Sequence, residues 1–158
     1  MKEKLRLLQA DISDRLTSID DTYRKLDGLR SQATGSNQDI IIGYYLHVLY
    51  GLFEDMFEQI AENFGNEIAD KAQWHAQLLR RMSLHVKQIR PAVINDASYT
   101  HLNELRAFRH LFRNAYLLEF DPERLNIVLR HAHELRSHYR TDLKKFLDFL
   151  EQLIQSDT

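Results

Sequence analysis

The sequence predicts an all-α protein, an elongated antiparallel bundle of four or five long helices. Three observations support this class. The 158 residues include only 5 glycines and 2 prolines, so few turns are encoded. Apolar residues recur at steps of three and four over long stretches, as in amphipathic helices. The connections between these stretches are short, which favours antiparallel neighbours. The length suits one domain over residues 1–158, and the long helices leave an apolar face for a second copy of the chain.

The first two predicted helices form the N-terminal half. The first spans about residues 2–32 and the second about residues 38–64, with Asp39 near the positive end of its dipole. The second is apolar over most of its circumference and should be the most buried helix. The core seam of the first helix contains Leu5, Leu8, Ile12, Leu16, Ile19, Tyr23 and Leu26.

A third helix is predicted over about residues 68–89. Arg90-Pro91 should end it, because a residue before proline is pushed out of the helical region. Its predicted core stripe consists of Trp74, Leu78, Met82, Val86 and Ile89.

The last two predicted helices complete the bundle. The fourth runs from Ser98 to about Phe120. Asp121-Pro122-Glu123 is typical of a helix start, with an N-cap aspartate and proline at the first helical position, and the fifth helix continues to about residue 154. The fourth should bury Leu102, Leu105, Phe108, Phe112 and Tyr116; the fifth should bury Leu125, Val128, Ala132, Leu135, Tyr139, Leu143, Phe146, Leu150 and Leu153.

Composition predicts a soluble protein of the cytoplasm. Hydrophobic residues make up 44% of the chain and charged residues 28%. The absence of cysteine excludes disulfides and thiolate metal sites and fits a reducing compartment. The first residues lack the apolar stretch of a signal peptide. No apolar run reaches the roughly 18–20 residues of a membrane span.

The net charge of −2 hides a strong separation along the chain. Residues 1–70 carry 7 Lys/Arg against 13 Asp/Glu, residues 71–118 carry 8 against 2, and residues 119–158 carry 6 against 8. A basic block therefore lies within an acidic protein. It can form a local anion-binding surface, or acids of the flanking helices can neutralise it in the fold.

The fourth predicted helix carries a cluster of cationic and polar side chains. No acid occurs between residues 104 and 119. Arg109, Arg113 and Tyr116 share one stripe at i, i+4 and i+7, and Arg106, His110 and Arg113 form an overlapping one. Guanidinium groups hold phosphates through forked, permanently charged hydrogen bonds, and an imidazole can transfer protons. The cluster indicates a nucleic-acid or nucleotide site, unless its arginines pair with acids of the first two helices.

Other kinds of site are not predicted. The side chains of His131 and His133 diverge by about 200° on a helix, and those of His133 and His138 by about 140°, so we expect no metal site. There is no nucleophile motif and no glycine-rich phosphate loop, so no cofactor is expected. Two carboxylate pairs are predicted to be solvated surface residues, namely Asp20-Asp21 and Glu54-Asp55.

Several motifs in order resemble the HepT-like branch of the HEPN superfamily, over about residues 38–130. They are Trp74-His75-x-x-Leu78-Leu79-x-x-Met82, Ile89-Arg90-Pro91-Ala92-Val93-Ile94, Phe108-Arg109-His110-x-x-Arg113-Asn114-x-Tyr116 and Phe120-Asp121-Pro122-Glu123-Arg124-Leu125. The resemblance implies a helical bundle that dimerises. Many members are metal-independent ribonucleases, often toxins encoded beside a small nucleotidyltransferase antitoxin.

The resemblance also implies roles for individual residues. Family members use an arginine, a polar residue after it and a later histidine at a site shared across the dimer, and a tyrosine that receives AMP from the partner enzyme. Here Arg109 matches the arginine, His110 the polar residue and Tyr116 the tyrosine, but Asn114 stands where the histidine is expected. Asparagine is neither an acid nor a base near neutral pH.

The departure at Asn114 leaves several alternatives. His110 replaces the missing histidine from one turn away, or Arg109, Arg113 and His110 act with a different geometry, or cleavage is weakened or lost. The first hypothesis is therefore a homodimeric RNA-cleaving toxin, with catalytic Arg109, His110 and Asn114 and with Arg106 and Arg113 binding RNA phosphate. The second is a non-catalytic module that binds RNA, a nucleotide or a nucleotidyltransferase. The third is a structural bundle without a ligand.

Overall fold

The computed structural model is an all-helical bundle, as the sequence predicts. It describes residues 1–30, 36–64, 68, 72–113 and 121–156. Within these ranges there are six helices and no strand. The helices are α1 (Lys2–Arg30), α2 (Ser36–Asn63), α3 (Trp74–Met82), α4 (Asp96–Arg113), α5 (Pro122–Leu135) and α6 (Tyr139–Ser156).

Helix α2 is the central helix of the bundle and contacts α1, α3, α4 and α5. Residues 37–63 are long and apolar enough to cross a membrane by length and composition, but half of their 18-residue apolar segment is buried inside the bundle. This burial is typical of the core helix of a soluble protein. Its fully buried side chains include Leu46, Leu49, Tyr50, Phe53, Met56, Phe57 and Ile60.

Helix α1 packs along α2 and confirms the predicted seam. Six of the seven seam residues are buried, and Leu16 is partly buried against the same core. Because α1 and α2 follow one another across residues 31–35 and pack side by side, they run in opposite directions. Helix α1 also contacts α6, and α4 packs on α5.

The third helix is shorter than predicted. Ile68 is not helical, α3 begins at Trp74, and it ends at Met82 rather than near residue 89. After it, Val86 and Arg90 exchange backbone hydrogen bonds of 2.8 and 3.0 Å, and Gln88 takes a φ of 67°. The prediction that Ile89 belongs to the core is wrong, since that side chain is 46% exposed.

A buried arginine holds the turn that follows α3. Arg90 is only 2% exposed. Its Nη1 donates hydrogen bonds to the carbonyl oxygens of Leu84 and Pro91 at 3.1 and 3.2 Å, and its Nη2 donates to that of Arg81 at 3.1 Å. One side chain thus bonds three carbonyls at the end of α3 and in the turn, where carbonyls lack α-helical partners.

The predicted fifth helix is two helices. The N–H groups of Ser137 and His138 donate to carbonyls three residues back rather than four, at 3.2 and 2.9 Å. The Ser137 hydroxyl also donates to the Glu134 carbonyl at 2.8 Å, a local bond that competes with the helical ladder. A tight turn therefore separates α5 from α6.

The start of α5 is confirmed in detail. Asp121 is the N-cap, and its side chain accepts a hydrogen bond of 3.1 Å from the Glu123 N–H. Helix α4 buries Leu102, Leu105 and Phe108. Its predicted extension to about residue 120, together with Asn114 and Tyr116, lies outside the described residues.

Candidate functional site

A cavity of about 220 Å³ opens between α2, α3 and α4. Helix α4 contributes one wall with four residues at helical spacing, Arg106, Arg109, His110 and Arg113. The structure thus gathers these four predicted site residues around one cavity. The facing walls include Tyr50, Glu54, Gln73 and His75.

Arg109 lies against the backbone of α2. Its Nη1 donates a hydrogen bond of 2.9 Å to the carbonyl oxygen of His47. A Cβ added at Gly51 would lie 2.5 Å from the same Nη1, so the missing side chain makes room for the guanidinium. The Nε of Arg109 is buried and has no hydrogen-bond partner among the described residues. The hydrogen bond from Nη1 therefore holds the guanidinium beside the cavity, and Nε keeps an N–H that can still donate a hydrogen bond.

Within the described ranges, the pocket arginines form no ion pair. Among the described residues, no carboxylate lies within 4 Å of a guanidinium nitrogen of Arg106, Arg109 or Arg113. Arg106 instead donates from Nε to the side-chain oxygen of Asn103 at 3.0 Å. Acids of α1 and α2 pair with other arginines, in the pairs Asp14–Arg15, Asp55–Arg15, Asp21–Arg24, Asp27–Arg136 and Asp20–Arg140.

A histidine–glutamate pair lies on the wall opposite the arginines. Nδ1 of His75 is 2.8 Å from Oε2 of Glu54. The Glu54 side chain is 6% exposed and that of His75 is 42% exposed, so a buried carboxylate holds a ring that reaches solvent. The prediction that Glu54 is a solvated surface residue is therefore wrong, whereas Asp55 beside it is 58% exposed, as predicted. Helical spacing does not predict this pair, since its members are 21 positions apart in the sequence.

A second unpredicted histidine lies behind the arginines. The ring of His47 stacks on that of Phe112 with centroids 4.9 Å apart. Burial lowers the pKa of His47 to about 4, with smaller contributions from the positive charges of Arg109 and Arg113. His47 is therefore neutral near physiological pH and adds no positive charge to this wall.

The phenol of Tyr50 forms part of the cavity floor. Tyr50 is 1% exposed. Burial raises its pKa, and the nearby Glu54 carboxylate raises it further, while Arg106 and Arg109 act in the opposite direction. Tyr50 is therefore a neutral hydroxyl, able to donate or accept a hydrogen bond but not to act as a base.

A separate histidine cluster lies on α4, on α5 and in the turn after α5, apart from the lining of this cavity. The Nδ1 atoms of His101 and His131 are 2.9 Å apart, and Nε2 of His101 is 3.6 Å from Oε2 of Glu134. The ring of His138 stacks on that of His101 with centroids 6.1 Å apart. Burial lowers the pKa of His101, and His131 lowers it further. Sequence spacing did not indicate this group because His101 belongs to another helix.

Comparison with known protein families identifies the chain. The family described as HepT-like protein matches residues 41–150, more than two thirds of the sequence. The chain belongs to the HepT-like family, within the HEPN superfamily. No curated protein and no solved structure matches it.

The HepT-like match includes the whole cavity. It begins in α2, ends in α6, and contains the four lining residues of α4 as well as Glu54 and His75. Asn114 and Tyr116 fall inside the matched range although they lie outside the described residues. The family membership and the cavity therefore concern the same part of the chain.

Proposed function

We propose that this HepT-like protein is an endoribonuclease that cleaves RNA without a metal ion in the reaction, at the cavity between α2, α3 and α4. One observation carries the proposal. Three arginines without carboxylate partners in the described part of the chain, and two histidines, line the same small cavity. Such a set combines phosphate binding with proton transfer.

Arg106, Arg109 and Arg113, which together form the arginine wall of the cavity, bind and polarise the scissile phosphate. Guanidinium groups offer forked N–H donors that match two phosphate oxygens at once. Arg109 is held by the His47 carbonyl, so one guanidinium is preoriented before RNA arrives. Fixed donors of this kind stabilise the extra negative charge that develops on phosphorus during displacement.

Two histidines supply the proton transfers. His75 takes the proton of the 2′-hydroxyl, the 2′-oxygen attacks phosphorus, and the bond from phosphorus to the 5′-oxygen breaks. His110 acts as the general acid and donates a proton to the departing 5′-oxygen. The products are a 2′,3′-cyclic phosphate and a 5′-hydroxyl. Glu54 orients the His75 ring and stabilises it once it is charged.

A second function is favoured by Asn114. The resemblance places a histidine at this position in catalytic relatives, and asparagine cannot replace it as an acid or base. A HepT-like module that binds RNA, a nucleotide or a nucleotidyltransferase without cleavage is therefore the alternative. It predicts binding that weakens as salt is raised, with no product.

The proposed biological setting is a toxin–antitoxin pair in the cytoplasm. The cognate antitoxin would be a small nucleotidyltransferase that attaches AMP to Tyr116. We also propose a homodimer, because α2, α4 and α5 each expose large apolar side chains. These are Ile41, Tyr44, Leu111 and Ile127.

RNA cleavage by the purified chain in the presence of EDTA tests the proposal. We expect EDTA-resistant cleavage that leaves 2′,3′-cyclic phosphates, and a rate reduced about 100-fold or more in His75→Ala, because general acid–base catalysis contributes at least that much. His85→Ala is the matched control, since His85 is exposed and does not line the cavity. Cleavage that EDTA abolishes, or that both variants reduce equally, contradicts the proposal. Salt-sensitive binding without cleavage supports the alternative.

A further inference from the structure

The histidine cluster on α4 and α5 brings together two imidazoles and one carboxylate. His101, on α4, faces His131 and Glu134, which lie one helical turn apart on α5. One ligand atom from each residue lies within 4.8 Å of the other two. The imidazoles are partly buried, and the Glu134 side chain is 52% exposed.

We propose that His101, His131 and Glu134 bind a divalent metal ion of the zinc class. Imidazole nitrogen and carboxylate oxygen are established zinc ligands, and two histidines with one glutamate are a recurring zinc set that leaves a fourth position for water or a further ligand. Magnesium and calcium are disfavoured because they select oxygen ligands.

The three ligand atoms lie close enough together for small side-chain movements to bring them around one ion. With metal–nitrogen bonds of about 2.0–2.1 Å, ligand atoms of a tetrahedral site are separated by about 3.3 Å. The Nδ1 atoms of His101 and His131 are 2.9 Å apart, a hydrogen-bond distance, so the two rings must separate by about 0.4 Å to bind one ion. Oε2 of Glu134 lies 3.6 Å from Nε2, the other ring nitrogen of His101. Glu134 is exposed and on the surface of α5, so its side chain can rotate toward the same ion without repacking the core.

The ion would fasten α4 to α5 rather than take part in RNA cleavage. His101 precedes Arg109 by eight residues, which corresponds to about 12 Å along a helix, and none of the three ligands lines the cavity. A metal at this cluster stabilises the helix pair that carries the arginine wall. The zinc site is therefore compatible with EDTA-resistant RNA cleavage, and the test of zinc binding is independent of the test of ribonuclease activity.

Zinc titration of the chelator-treated full chain tests the site. Isothermal calorimetry should give one Zn²⁺ per chain, and zinc at 100 times its dissociation constant should raise Tm by about 5–10 °C. His131→Ala should weaken binding by more than the roughly 10–100-fold caused by losing an outer-sphere partner. Glu134→Gln provides a second variant at an exposed position, where folding is not at risk.

His133→Ala is the matched control, because it removes a histidine from the same helix that lies outside the cluster. It should bind zinc like the unmodified chain. Two results overturn the proposal. One is the absence of zinc binding, as expected if an N–H of one imidazole merely donates to the other. The other is weakening by His133→Ala equal to that by Glu134→Gln, as expected for scattered surface histidines.

Discussion

At the scale of single residues, Gly51 determines where Arg109 lies. The guanidinium occupies the space in which any other residue would place its Cβ, and it is held there by the His47 carbonyl. A glycine inside a helix costs up to about 1 kcal/mol relative to alanine. At this position the cost is offset by the close approach of a charged group to α2.

Gly51→Ala should therefore separate stability from activity. The added methyl group displaces the end of the flexible Arg109 side chain, so the free energy of unfolding should stay level or rise, while RNA cleavage falls by about 10–100-fold. Urea unfolding and cleavage rates measure the two effects. Gly28→Ala is the control, because its Cβ would meet nothing within 4 Å. It should gain about 0.5–1 kcal/mol and leave cleavage unchanged. Equal cleavage in both variants contradicts the role given to Arg109.

Sequence reasoning found one side of this cavity and missed the other. The arginines could be predicted from the sequence because they recur at helical spacing within one helix, so a short stretch of sequence contains the whole pattern. The contact between His75 and Glu54 joins α3 to α2, and helical spacing within one element carries no information about it. The sequence signal for His75 was its place in the Trp74-His75-x-x-Leu78-Leu79 motif that resembles the HepT-like branch, which does not indicate its partner.

At the scale of the elements, the segment after α3 depends on Arg90. A sequence window shows an arginine before a proline, which predicts a helix end but not a buried side chain. The structure shows its guanidinium donating to three backbone carbonyls. This turn precedes α4, so its conformation positions the helix that carries the cavity arginines.

Arg90→Ala should lower the free energy of unfolding by about 3 kcal/mol or more, because three carbonyls lose a charged donor inside the protein. Urea unfolding followed by circular dichroism measures the loss. Arg80→Ala is the control, since Arg80 is exposed and contacts the ring of Tyr99 at 5.3 Å. Its effect should stay within about 1 kcal/mol. Losses of similar size in both variants contradict the structural role of Arg90.

The division between α5 and α6 shows why periodicity overestimates helix length. Buried positions continue at steps of four from Leu135 through Tyr139 to Leu143, as they would along one helix. A single turn with hydrogen bonds to carbonyls three residues back leaves this spacing intact. The apolar pattern alone therefore could not reveal the break.

At the scale of the whole molecule, charge separation along the sequence survives in the fold. Carboxylates of α1 and α2 pair with arginines of α1, of α6 and of the turn between α5 and α6. In the part of the chain that the structure describes, the arginines of α4 around the cavity receive none of these partners. A protein of net charge −2 thus retains a cationic surface suited to a polyanion.

The most direct test of the account is RNA cleavage by Arg113→Ala. Arg113 is an exposed member of the arginine wall, so its loss should remove phosphate stabilisation without disturbing the core. The control is Arg130→Ala, which removes an exposed arginine of α5 outside the cavity. The account predicts that kcat/KM falls about 100-fold or more for Arg113→Ala and changes within about twofold for Arg130→Ala. Equal activity of the two variants would contradict it.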